Sequence, residues 1–292
     1  MATLRQIQRR IRSIQSTAKT TRAMSLVAGS KMRRAQQLAL AHRPYADRLR
    51  FLLADVFESL DALPETEGQT LHPLLERRLV ATPGVLLLTP DRGLCGGLNT
   101  NLIRTAGALL AANPNARLIC VGRKGFDFFR RTRTGILGSF TRLGDYPAYE
   151  DTLPISHLVM SSFLSGEIDS LTFVYPHFVN TVVQRPQTLE LLPATAPDDP
   201  TASRVEFIYE PDAFAVLNDL MPRYVEIQVY RAVLELAASE QSARMVAMRN
   251  ATDAAQEMIQ ELTLVRNKVR QEQITKELLD ITGGVEAMAQ SS

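Results

Sequence analysis

Residues 223–282 read RYVEIQVYRAVLELAASEQSARMVAMRNATDAAQEMIQELTLVRNKVRQEQITKELLDIT, sixty consecutive positions without Gly or Pro. Within them Met248, Ala251, Ala255, Met258, Leu262, Val265 and Val269 recur at strict 3,4 spacing. That pattern predicts one long helix with an apolar seam. At about 1.5 Å per residue it spans roughly 90 Å, several times an ordinary globular helix. Such a helix cannot be buried along its whole length in a domain of its own, so it needs a partner helix or a sheath.

The other end of the chain supplies the partner. Leu4, Ile7, Ile11, Ile14, Ala18 and Thr21 repeat the same spacing, and Ser25, Ala28, Met32, Ala35 and Ala39 carry the register onward with smaller residues. The two ends also differ in charge. Residues 1–50 hold twelve bases (Arg5, Arg9, Arg10, Arg12, Lys19, Arg22, Lys31, Arg33, Arg34, Arg43, Arg48, Arg50) against Asp47, a net of +11. From Val205 to the end, fourteen acids and eight bases give −6, a polarity concealed by the whole-chain value of +2. Two helices of opposite sign with seams of equal period are expected to pair antiparallel around a central domain.

Composition bounds the rest. With 292 residues, 45% apolar and 22% charged, the chain can bury one sizeable core and still carry extended elements. Apolar runs such as Val85–Leu88 are far too short for a bilayer, so no membrane span is expected. Cys95 and Cys120 lie in no metal or redox spacing, and His42, His72, His157 and His177 are scattered, which argues against a zinc site. The Arg-rich, acid-free first thirty residues also read as a targeting segment. The apolar spacing that runs unbroken from Leu4 ranks mature structure above that reading.

Between the helices the pattern changes. Pro64–Pro73 reads as a loop, Gly84–Thr89 as a buried strand, Asp91–Asn99 (DRGLCGGLN) as a Gly-rich turn and Thr100–Ala112 as a helix. A second strand at Ala116–Gly122 and another helix from Gly125 complete a βαβ unit, which favours a parallel sheet. Ile155–Leu164 is expected to be helical. Leu171–Tyr175, Val179–Gln184 and Thr188–Leu192 are expected as strands, the last two a candidate hairpin, and Ala194–Ala202 as a linker. Pro211 and Asp212 suit the start of the final helix. Pro44 and Pro222 mark kinks or hand-over points. The resulting class is α/β: a long antiparallel two-helix coiled coil from the terminal segments (1–60 and 205–292) and a central Rossmann-like α/β domain (61–204).

The Gly-rich turn lies between a strand and a helix, as a nucleotide site would. Its spacing, Gly93-x-x-Gly96-Gly97, is neither the dinucleotide fingerprint nor a phosphate loop with Lys and Ser/Thr. A tight turn is the better reading. No histidine stands at a motif position to activate Cys95, so the thiol reads as inert, and the Gly122–Gly125 turn reads as a turn with exposed bases. Neither cofactor nor metal is expected.

Several stretches resemble one family. Ala18–Arg34 (AKTTRAMSLVAGSKMRR), Asp91–Asn99, Val183–Pro193 (VQRPQTLELLP) and above all Ser239–Gly284 are similar to the gamma subunit of F-type ATP synthase, in the correct order over almost the whole chain. The resemblance implies a non-catalytic central-stalk rotor. Its partners would be the alpha and beta subunits, as an alpha3beta3 hexamer, with the epsilon subunit and the membrane c-ring. It would transmit rotation to the beta sites from the cytoplasmic face of a bacterial membrane, as a peripheral protein, with the inner face of an organelle as the less favoured alternative. The matching positions imply rotor contacts and coupling at Met24, Arg270, Gln271, Thr275 and Glu277, with Arg244 in the same group. The chain departs from the family pattern at Ser16–Thr21, a more polar seam, at Ala254 in Ala251–Ala255, and at Arg266, where an aromatic is usual. A coiled-coil adaptor gripping nucleic acid or anionic membrane and a small α/β enzyme are the competing classes, and the rotor reading predicts no nucleic-acid binding.

Overall fold

The computed structural model describes residues 3–61, 72–132, 134–195, 207 and 209–290. Most of the expected loop at 64–73 and of the linker at 194–202 lies outside them. Two compact units divide the chain: one holds residues 28–244, the other the segments before 28 and after 244. This partition differs from one cut at the ends of the long helices, because residues 28–61 and 213–244 pack on the sheet and share its core.

Helix α1 (Leu4–Asp61) opens the chain and α5 (Ala213–Gln290) closes it. Both continue through their prolines, Pro44 and Pro222. The start of α5 follows its local chemistry: Asp212 Oδ1 accepts from the Ala215 amide at 2.8 Å and satisfies a donor of the first turn.

Between them run β1 (Pro83–Leu88), α2 (Leu98–Ala112), β2 (Arg117–Val121), α3 (Arg123–Phe129), β3 (Gly135–Phe140), α4 (Tyr149–Leu164), β4 (Ser170–Phe178) and β5 (Gln184–Leu192). The sheet order is β3-β2-β1-β4-β5, parallel except for β5, which returns antiparallel beside β4. The hairpin is therefore β4–β5. Residues 179–183, expected within a strand, are its turn, and the Asn180 carboxamide oxygen accepts from the amides of Val182 and Val183 at 2.9 and 2.8 Å. Strand β3 escapes a periodicity reading because GILGSF has two glycines and no alternation. Helix α4 begins six residues before Ile155, with the Asp151 carboxylate accepting from the Ala148 amide at 2.9 Å.

Alternation along the strands divides the core. Leu86, Leu88, Ile119, Val121 and Phe173 face α4 together with Leu53, Val56 and Leu60 of α1 and Leu217, Val225 and Val229 of α5. Val85, Leu87, Leu118, Cys120 and Val174 face the opposite layer, with Leu98, Leu102 and Ala106 of α2 and Phe129 of α3. The long helices thus form one layer of the α/β sandwich over residues 28–244. A buried carboxylate ties them to α4: Glu226 of α5 accepts from the Tyr149 hydroxyl and from Arg223 Nη1 at 3.1 Å.

Candidate partner-binding surface

The Gly-rich turn comes first, because in an α/β sheet the crevice beyond the strand carboxyl ends is where a ligand would sit. Here that crevice is filled from within. Asp91 places one carboxylate oxygen on the Arg123 amide at 2.9 Å, at the start of α3, and the other on the Arg142 amide at 2.8 Å. The chain's own anion occupies the place a phosphate would take. The space left beside it is about 30 Å³, roofed by Val233, Leu236, Ala237 and Glu240 of α5, room for about one water. Gly93 gives its carbonyl to Arg244 Nη2 at 3.2 Å, and Asn99 donates to the buried Cys95 sulfur at 3.2 Å. Burial pushes both thiols up, Cys120 to about 12, so neither is a ready nucleophile. Among the described residues no cluster of His, Cys, Asp or Glu could hold a metal.

Arg244 is therefore placed inside the larger unit. Its side chain is buried, pairs with Glu240 at 2.6 Å and holds the Gly-rich turn against α5. Burial raises the Glu240 carboxyl, with Arg244 opposing that shift. The other candidate residues lie in the smaller unit.

There, the amino-terminal part of α1 meets the carboxyl-terminal part of α5 antiparallel. Thr21 and Thr252 bring their hydroxyls to 2.7 Å in the buried seam, and Ser25 Oγ donates to the Met245 carbonyl at 3.2 Å. Each hydroxyl also has a carbonyl of its own helix within reach, Met248 at 2.8 Å for Thr252 and Ala18 at 3.2 Å for Thr21, so either can supply the proton they share. On α1, from Leu4 to Thr21, the buried and half-buried positions are Leu4, Ile7, Gln8, Ile11, Ile14, Ala18 and Thr21, which contain the seam expected from spacing. On α5, from Met248 to Val269, they are Met248, Ala251, Thr252, Ala255, Ile259, Leu262, Thr263, Arg266 and Val269. The expected seam is thus corrected at Met258 and Val265, which are 53% and 47% exposed, while Ala251 is half-buried as expected. Ile259 and Arg266, one residue on, take the half-buried places, and Thr252 joins Ala251 in the seam to meet the Thr21 hydroxyl. Arg266 lies at a half-buried seam position and turns its guanidinium to Asn267 Oδ1 at 3.0 Å, covering the seam with its stem.

Replacing Thr252 with Val should cost about 1 kcal/mol, and replacing Thr21 as well should recover part of it, because paired apolar groups leave no hydroxyl unmatched. A double-mutant cycle in urea checks this. Strictly additive losses would mean that the two hydroxyls do not interact.

The expected electrostatic pairing of the helices is not what joins them. Among the described residues no ion pair links α1 to α5. Arg5, Arg9, Arg10, Arg12, Lys19 and Arg22 are exposed, so packing holds the pair and the bases face outward. Beyond Val269, α5 offers no described side chain that is even half-buried. Arg270, Gln271, Thr275 and Glu277 fall in this stretch and make no side-chain hydrogen bond or ion pair among the described residues. Gln271 and Thr275, one turn apart, share a face with Lys268, Glu272, Lys276 and Leu279. Leu278, Leu279 and Ile281 are exposed beside them. On α1, half-buried Met24 precedes Leu26 and Val27, which are exposed. Exposed apolar residues set among exposed polar ones make this stretch a candidate contact surface.

Residues 3–288 match the family profile described as ATP synthase. The ATP synthase gamma chain of Dehalococcoides mccartyi is 53% identical over 290 residues, covering 99% of this chain and all of that protein. The chain belongs to the ATP synthase gamma chain family. The gamma chain of Chloroflexus aurantiacus is 46% identical over 292 residues, covering 99% of each. Among solved structures, the central stalk and c-ring of the Tetrahymena thermophila mitochondrial ATP synthase contains a similar chain, with a TM-score of 0.62 and 25% identity over 80% of this chain and 99% of that one. The rotor of the Euglena gracilis mitochondrial enzyme shares the fold, with a TM-score of 0.64 at 18% identity over 93% of this chain and 98% of its own. The gamma-chain family assignment covers both the helix pair and the sheet, and it agrees with a Gly-rich turn built for packing.

Proposed function

We propose that the chain is the non-catalytic central-stalk subunit of an F-type ATP synthase, turning inside an alpha3beta3 hexamer and joined to the epsilon subunit and the c-ring. The observation that carries this reading is the stretch of α5 from Arg270 to Leu279, whose described apolar and polar side chains are all exposed, in a chain similar to gamma chains over its full length. Mechanically, each orientation of an asymmetric shaft touches three like subunits differently, and only such differential contacts can bias their open and closed states. Met24, Arg270, Gln271, Thr275 and Glu277 are proposed as the contacts that do so. Arg244, which fixes the Gly-rich turn to α5, is proposed to belong to the same functional group.

The division into segments 1–60, 61–204 and 205–292 is proposed as a functional one: two helices that engage the hexamer and a sheet domain that faces the ring. No described helix is long and apolar enough to cross a membrane, and the chain is a peripheral part of a membrane complex. Its proposed location is the cytoplasmic face of a bacterial cell membrane. Tagged chain recovered from its native cell is expected to bring down an alpha/beta hexamer with ATPase activity. Recovery without such a hexamer, or with nucleic acid in salt-dependent amounts instead, would overturn the assignment.

A further inference from the structure

The loop between β3 and α4, residues 141–148, is held from three sides. Asp145 gives one carboxylate oxygen to Lys31 Nζ of α1 at 2.7 Å and the other to Gln241 Nε2 of α5 at 3.1 Å, so a single side chain bridges both long helices. One residue on, the Tyr146 ring lies under the Arg34 guanidinium of α1, 4.5 Å from its centroid. At the loop's start the Arg142 amide is fixed by Asp91, and Arg142 and Gly144 both adopt positive φ, +66° and +83°. A non-glycine residue in that region is held by its surroundings, and such positions gather at functional places.

The fold does not need this grip for stability. Lys31 and Asp145 are 30% and 36% exposed, and a pair so open to solvent adds little, whereas the apolar layer under α1 and α5 already secures the helices. What the pair does supply is direction. Apolar packing sets the register of the helices on the sheet, and a carboxylate shared between an ammonium and an amide adds a directional restraint on rotation of either helix past the loop.

We infer that Asp145, with Lys31 and Gln241, is a torque-bearing latch that fixes α1 and α5, where they cover the sheet within residues 28–244, against rotation relative to it. The inference rests on the rotor reading and names the positioning residues for it. These residues touch no nucleotide and act only through the helices. Loss of the latch changes how faithfully rotation is passed on, without altering the chemistry at the beta sites.

The test uses the assembled complex with the hexamer immobilised and a probe attached through Leu79→Cys, a site 95% exposed in the sheet domain while both native cysteines are buried. The angular distribution of the probe is recorded at a stalled position. A weak, half-exposed pair corresponds to about a two- to fivefold change in an equilibrium, so Asp145→Ala should lower the ratio of latched to unlatched molecules by about that factor and broaden the distribution. The melting temperature of the chain and the ATPase rate of the detached hexamer complex should not move. The swapped pair Lys31→Asp with Asp145→Lys should restore the narrow distribution, the Gln241 amide turning to present its oxygen. An unchanged distribution in Asp145→Ala would overturn the latch, and so would a broadening that the swapped pair fails to reverse. A parent complex that hydrolyses ATP without turning the probe would instead sink the rotor reading itself.

Discussion

Gly122→Ala should lower the stability of the sheet domain by roughly 3–5 kcal/mol, a large part of the 5–15 kcal/mol typical of a whole protein. Gly122 joins β2 to α3 at φ +88°, and a Cβ there would lie 1.7 Å from the Thr89 carbonyl oxygen. That carbonyl is backbone and cannot step aside. It belongs to a residue that anchors both strands, since the Thr89 amide donates to the Val121 carbonyl at 2.8 Å and its hydroxyl accepts from the Gly125 amide at 2.9 Å. Relieving the overlap would pull apart the carboxyl ends of β1 and β2. Gly144→Ala provides the control, with a similar φ of +83° but nothing within 4 Å of the added carbon, so only the backbone preference of about 1 kcal/mol is lost. Denaturant midpoints of the two variants decide the matter, and equal shifts would mean that the carbonyl approach is not what requires glycine.

Deleting Gln271–Ser292 should leave the isolated chain as stable as before, within about 0.5 kcal/mol, while lowering coupled ATP synthesis by the assembled complex. Through Leu279 the described side chains beyond Val269 are all exposed, so their removal uncovers none of the seam from Leu4 to Thr21. From Gln271 to Leu279 what is removed is exposed surface. If that surface supplies about 1 kcal/mol of differential contact with the hexamer, its loss is roughly a fivefold change in coupling. Synthesis by membranes carrying the truncated chain, compared with unfolding of the same chain alone, separates the two effects. A truncation that unfolds the helix pair would show that the segment is structural, and unimpaired synthesis would remove Gln271, Thr275 and Glu277 from the coupling contacts.

The candidate contacts were accessible to sequence reading for different reasons. Gln271, Thr275 and Glu277 stand out only through their similarity to a family motif, since polar residues on a helix carry no periodic signal of their own. Their exposure and lack of partners then agree with a contact role. Arg244 belongs to the same motif, yet its guanidinium is spent on Glu240 and Gly93. Sequence similarity marks a position without saying which way its side chain points. Asp91, Asp145 and Lys31 were invisible as a group because the residues they join are separated by 32 to 114 positions and carry no spacing rule.

Periodicity alone determined that α1 and α5 exist and that an apolar seam joins them. The 3,4 repeat is a local consequence of helical geometry and needs no knowledge of the partner. The βαβ order and the rejection of a phosphate loop at Gly93–Gly97 were likewise local. Tertiary structure alone decided which stripe of α5 is the seam. The 3,4 repeat fits Met258 and Val265 as well as Ile259 and Arg266, and only the packed helices leave the first two exposed and the last two half-buried. It also decided what the charge polarity of the two ends means. Opposite net charge predicted ion pairs between the helices, but a seam packed with small and aliphatic side chains sets the register first and leaves the bases of α1 facing outward. The sixty-residue helix was written in the sequence; the face it turns to its own chain, and the face it leaves for others, followed from packing.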